Sequence, residues 1–227
     1  MFKAFFFDMD GVIFNSMPIH AKAWEEVMQK HHLPFTAYDC YLQEGRTGHD
    51  VIDDCWLKTY GRHAEEEEWK PIYKEKADLF TSRGPAPLIP GISDLLYWLH
   101  DHPAAPQIFL VTGSGMRTLF AEMDKLLPGI FSSERMVTAY DYTRGKPDPE
   151  PYQIAYAKAL ANDLTLRKEE CCVVENAPLG VQSGKGAGLT VAGVNTGILK
   201  EEDLLDAGAD LTFPSMAALH EYLKTNL

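Results

Sequence analysis

The sequence predicts an α/β fold: a doubly wound parallel sheet with an inserted all-helical domain. Three observations carry this expectation. From about residue 88 onward, short apolar runs alternate with stretches of helix period, the pattern of parallel strands covered by helices on both faces. Between residues 17 and 82 the period is helical throughout, so that stretch reads as a separate bundle. Several apolar runs end abruptly in polar residues, and the carboxyl ends of strands are where open α/β sheets bind ligands.

The first strand is Ala4 to Phe7, four apolar residues ending at Asp8. Asp8 and Asp10 stand one residue apart, followed at once by Gly11. An Asp-x-Asp-Gly stretch alone is an ordinary surface turn. Here Val12, Ile13 and Phe14 wall it on one side, which a solvated turn does not need and a pocket does.

Next come three stripes at helical spacing. They run through Ile19, Ala23, Trp24, Val27 and Met28; through Val51, Ile52, Cys55, Trp56 and Tyr60; and through Trp69, Ile72, Tyr73, Ala77 and Phe80. The acidic run Glu65 to Glu68 opens the third, where negative charge suits the helix dipole. Residues 83–91 hold three prolines and two glycines and cannot continue a helix, so they form one linker. Asn15 to Pro18 forms the other. The expected division is a core of residues 1–15 and 88–227 and a helical cap of residues 16–87, hinged over an active site.

Beyond the linker, a helix at 92–99 leads to a strand at 107–111 and a helix at 119–127 to a short strand at 136–139. A helix at 154–160 leads to the strand Cys171 to Glu175, and a small-residue helix at 178–187 to the strand Thr190 to Val194. The strand ends carry the chemistry. Val111 gives way to Thr112-Gly113-Ser114-Gly115 and a helix, a turn able to hold an anion with hydroxyls and backbone N–H groups, or simply to cap the helix. Gly145-Lys146-Pro147-Asp148-Pro149 orients a lysine between two prolines, although a lone lysine is commonly a solvated charge. Glu175-Asn176-Ala177-Pro178 ends the fourth strand, with Asn176 open to reading as a cap residue. Together the four offer two acids, a hydroxyl, a lysine and an acid–amide pair, a set able to bind a divalent metal and a phosphoryl group.

These four motifs, in this order, resemble those of the haloacid dehalogenase (HAD) superfamily, in its β-phosphoglucomutase-like phosphatase branch, and the resemblance spans the chain. It implies a HAD-like, Rossmannoid core and phosphoryl transfer. Asp8 would be the nucleophile and form an aspartyl-phosphate. Asp10 would serve as acid and base. Thr112, with N–H groups near Gly113 and Ser114, would hold the phosphoryl oxygens, and Lys146 would neutralise charge. Mg²⁺ would bind Asp8, the Asp10 carbonyl, Glu175 and Asn176. The usual second acid of the fourth motif is Asn176 here, which can ligate but supplies no charge.

In the cap, His20 aligns with a histidine that β-phosphoglucomutase places near its acid/base aspartate, and Lys76 matches a cap lysine. Gly45-Arg46-Thr47-Gly48-His49-Asp50 resembles the mutase substrate loop. The mutase arginine that grips the distal phosphate falls at Gly48, with Arg46 and His49 nearby. A lysine expected after the second motif falls at Gly115. The best substrate class is therefore a small sugar or polyol phosphate, and the expected reaction is hydrolysis. The alternatives are β-phosphoglucomutase activity and, from another class, a non-catalytic phosphate-binding regulator.

Composition bounds the rest. The 227 residues are 45% hydrophobic, ample for a core. A formal charge of −12 argues against a nucleic-acid groove. Without a membrane-spanning run, and with the first strand starting by Ala4, the expectation is a cytoplasmic protein, a monomer or weak dimer, free of membrane or nucleic-acid partners. Cys40, Cys55, Cys171 and Cys172 suit reduced buried thiols better than disulfides or zinc.

Overall fold

The computed structural model describes residues 1–114 and 117–227. Gly115 therefore lies outside the described residues. Six strands form one parallel sheet in the order β3-β2-β1-β4-β5-β6: β1 (Ala4–Phe7), β2 (Gln107–Val111), β3 (Met136–Val137), β4 (Cys171–Glu175), β5 (Thr190–Val194) and β6 (Leu211–Phe213). β1 lies between β2 and β4, with Phe7 paired to Leu110 on one side and Val174 on the other. The order of connection reverses between β1 and β4, so a crevice opens there at their carboxyl ends.

Alternate residues of the central strands face opposite cores. Phe6, Phe109 and Val173 pack on α7 (Glu150–Asn162) and α8 (Pro178–Gly186). Phe5, Phe7, Leu110 and Val174 pack on α5 (Ile92–Asp101) and α10 (Met216–Asn226). Burial on both faces explains why these strands read as unbroken apolar runs. Cys171 and Cys172 consequently point to opposite cores, and burial pushes both thiols up to about 12. All four cysteines are free and buried.

Between β1 and α5 lie four helices: α1 (Met17–Lys30), α2 (Ala37–Leu42), α3 (Gly48–Tyr60) and α4 (Glu66–Ser82). Three correspond to the three apolar stripes. α2 has only six residues, too short to display a period, and its signal is a capping box in which the Thr36 and Asp39 side chains bond each other's backbone N–H. Thr47 caps α3 with its side chain alone, accepting from the Asp50 amide at 3.1 Å. The C-terminal region also holds more than its pattern displays. α9 (Glu201–Asp206), the three-residue β6 and α10 complete the sheet edge, while β3 is only two residues long. α6 (Arg117–Leu126) follows the turn after β2.

Candidate active site

At the switch point, four side chains from the end of β1, the loop before α7, the first turn of α7 and the end of β4 meet below a cavity of about 380 Å³ that reaches from the sheet edge up among α1 and α4. Asp8 follows β1 and is only 5% exposed. Lys146 reaches it from the loop before α7, where the Lys146–Pro147 peptide is cis. The lysine ammonium also donates to Oε1 of Glu175 at 2.6 Å and to the Val111 carbonyl at 3.3 Å. Tyr152, on the first turn of α7, donates to the same Glu175 oxygen at 2.5 Å. Burial pushes the Asp8 carboxyl up to about 7, with Glu175 and Asp10 adding to the rise and Lys146 opposing it. Burial opposes the charge on Lys146 as well, but Asp8 and Glu175 outweigh it, so the ammonium stays protonated.

Asp10 is bound differently. Ser16 Oγ donates to its Oδ1 at 2.5 Å, while His20 Nε2 stands 3.8 Å away, beyond hydrogen-bond range. Burial pushes Asp10 up, but His20, Ser16 and Lys146 together outweigh it and hold the acid below its usual range. The Lys76 ammonium donates to His20 Nδ1 at 2.8 Å, which leaves the imidazole proton on Nε2, the nitrogen facing Asp10. His20 stacks on Phe80 with ring centroids 4.0 Å apart, and burial keeps it neutral. Lys76 is itself buried, over the rings of Trp24 and Phe80, and burial lowers it to about 8. The sequence thus places His20 and Lys76 on separate helices that meet over Asp10.

The turn after β2 is tied to the strand end, because the Ser114 amide donates to Thr112 Oγ1 at 3.0 Å. Gly113 and Ser114 line the cavity; Thr112 is buried beneath, its carbonyl accepting from Tyr142 at 3.2 Å.

Asn176 does not cap α8. Its amide nitrogen donates to Oε2 of Glu44, from the segment between α2 and α3, at 2.7 Å. That bond turns the amide oxygen the other way, and Asn176 Oδ1 is buried with no hydrogen-bond partner. Gly11 makes room for this side chain: it has φ +80°, and a Cβ there would stand 2.2 Å from Asn176 Nδ2. A buried oxygen without a donor fits a hard cation, which is bound by oxygen alone. Among the described residues no three acidic, histidine or cysteine side chains close on one point. The available donors are a mixture of carboxylate, amide and backbone oxygens, a set that suits an ion retaining several waters. Glu44 was not legible as a site residue. Burial lifts its carboxyl well above the usual range, and Asp8, Glu175 and Asp10 add to the rise. It is the fourth acid of the site, and a cation bound beside it would favour its ionised form.

Two residues of the 45–50 segment are placed otherwise than their spacing suggests. Arg46 lines the cavity, but its guanidinium is engaged by Asp54 and by Gln43 at 3.1 Å. His49 is 45% exposed, packs edge-on against Trp69 and is not among the residues lining the cavity. Gly48 lies under the Tyr73 ring, where a Cβ would come within 2.1 Å of Cδ2.

Comparison with known proteins gives a consistent picture. A family model of haloacid dehalogenase-like hydrolases matches residues 2–188. Hexitol phosphatase A of Escherichia coli is 30% identical over 89% of each chain. Beta-phosphoglucomutase of Bacillus subtilis is 26% identical over 96% of this chain and 94% of its own. A solved structure from Bacteroides vulgatus, provisionally assigned as a beta-phosphoglucomutase, superposes with a TM-score of 0.88. It is 39% identical and covers 99% of this chain and 88% of its own.

Proposed function

We propose, from the premise that this chain belongs to the haloacid dehalogenase-like hydrolases, that it is a Mg²⁺-dependent phosphatase of small sugar or polyol phosphates. The observation that carries the reading is the buried Asp8–Lys146–Glu175 arrangement at the switch point, with Asp10 poised beside it. We read residues 16–87 as the cap.

In the forward step an Asp8 carboxylate oxygen forms a bond to phosphorus as the ester oxygen departs. Lys146 holds the other charges of the site in balance and keeps the carboxylate oriented. Asp10 is ionised in the free site. A phosphate dianion placed beside it raises its proton affinity, so it can deliver a proton to the leaving oxygen. In the second step Asp10 takes a proton from water as that water attacks the aspartyl-phosphate, releasing phosphate and restoring Asp8. The amides of Gly113 and Ser114 and the Thr112 hydroxyl would hold phosphoryl oxygens. Asp8, the Asp10 carbonyl, Asn176 Oδ1 and Glu175 would hold Mg²⁺, with Glu44 contributing charge. The ion supplies charge neutralisation on the transferring phosphoryl group.

A mutase reading has the relatives named above in its favour. Against it, Arg46 is paired with Asp54 and the Tyr73 ring covers Gly48, so the loop offers little to grip a second phosphate. Lys76 and its aromatic surroundings suit a neutral polyol or sugar body instead. The reading is tested by acid quenching the enzyme during turnover of a ³²P-labelled hexitol phosphate. Label should appear on Asp8; a phosphate-releasing enzyme that never carries label on Asp8 contradicts it.

A further inference from the structure

We infer that Tyr152 is a positioning residue for the site, its hydroxyl aiming the Glu175 carboxylate toward the cation. The inference rests on the metal-dependent reading above. Tyr152 is the largest fully buried side chain among the described residues, with no exposed surface. A phenol placed so deep is costly unless its hydroxyl is bonded, and phenylalanine would serve packing alone. Its bond goes to Oε1 of Glu175, which already accepts from Lys146. That oxygen is therefore filled by two donors. Oε2 carries only a long 3.3 Å bond from the Asn176 backbone N–H and remains the oxygen suited to a metal.

The other side of the carboxylate is also closed. Gly180 of α8 lies so near that a Cβ there would stand 2.1 Å from Glu175 Cδ. Tyr152 and α8 thus hold the carboxylate from two sides. Without the hydroxyl, Glu175 can rotate to offer both oxygens to Lys146. That rotation would draw Oε2 from the cation and loosen the pairing of Lys146 with Asp8. Outer partners of this kind fix ligand orientation and tune affinity.

Tyr152→Phe isolates the hydroxyl, because the ring under the Lys146 ammonium, 5.2 Å from its centroid, is kept. The probe is Mn²⁺ binding to the full chain without substrate, followed by the electron paramagnetic resonance of free Mn²⁺, alongside thermal unfolding. The variant should bind Mn²⁺ about tenfold more weakly, with its unfolding still cooperative. In a Glu175→Gln background the same change should add nothing, since the hydroxyl acts through that carboxylate. An affinity within about twofold of wild type, equal losses in both backgrounds, or a variant that does not fold would each overturn the inference. A wild-type chain that binds no Mn²⁺ would instead remove the metal-dependent reading, and this inference with it.

Discussion

The Asn176 amide of the sheet edge donates to the Glu44 carboxylate of the helical insertion at 2.7 Å, joining residues 132 positions apart. This bond leaves the amide oxygen buried without a hydrogen-bond partner and brings a fourth carboxylate beside Asp8, Asp10 and Glu175. The helical stretch after β1 therefore helps shape the cavity at the sheet edge.

Glu44→Gln keeps an acceptor for Asn176 and removes the charge. Because the Glu44 carboxyl is raised by burial and by three neighbouring acids, its ionised form costs stability at neutral pH. Without metal the variant should melt higher than wild type at pH 7.5. The Mg²⁺ concentration for half-maximal activity should rise about tenfold. Calorimetry with and without Mg²⁺, paired with a Mg²⁺ titration of turnover, reads both effects.

Asn176→Asp should act in the opposite sense. It sets a carboxylate against Glu44 and lowers the metal-free melting temperature, while the added charge tightens Mg²⁺ binding. The upward shift in melting temperature on adding Mg²⁺ should exceed that of wild type, as differential scanning fluorimetry would register.

Asp8→Asn should abolish turnover, since an amide is no nucleophile. It should also stabilise the metal-free fold. The folded carboxyl sits at about 7 against an unfolded value of 3.8, so its burial penalty is full above pH 7. The penalty shrinks as pH falls toward 3.8. The variant's gain in melting temperature should amount to several degrees at pH 8 and decline steadily toward pH 5.

Lys76 supplies a pH limb. Burial lowers it to about 8, so its charge, and with it the attraction for a substrate oxygen, fades as pH rises through that value. The fall in kcat/KM above pH 8 should be absent in Lys76→Arg, whose guanidinium stays charged. The same fall in both proteins would assign the limb to another group.

The sheet was legible in the sequence because its central strands are buried on both faces; Asp8, Asp10, Thr112, Glu175 and Asn176 were singled out because they stand at or just past strand ends, and Lys146 because two prolines flank its loop. Glu44 escaped notice because it belongs to no stripe and no strand end. Its significance comes only from the folding of the insertion onto the sheet. Tyr152 was equally hidden, since an aromatic on a helix after a proline loop reads as core, and only its hydroxyl contact separates it from one. Arg46 was legible as a cation near the site but not as one already paired, because Asp54 lies two turns further along the chain on α3. Single sequences report charge, whereas its neutralisation is a matter of geometry.

The central claim is hydrolysis at Asp8, with water as the acceptor. The most direct test incubates the enzyme with hexitol phosphate, 2-deoxyglucose 6-phosphate, glycerol 1-phosphate and β-glucose 1-phosphate, with Mg²⁺ or with a chelator. A trace of glucose 1,6-bisphosphate is added to the last substrate. The account predicts Mg²⁺-dependent release of inorganic phosphate from at least one of these esters and none from Asp8→Asn. Rapid formation of glucose 6-phosphate from β-glucose 1-phosphate with little free phosphate, or no phosphate from any ester, would contradict it.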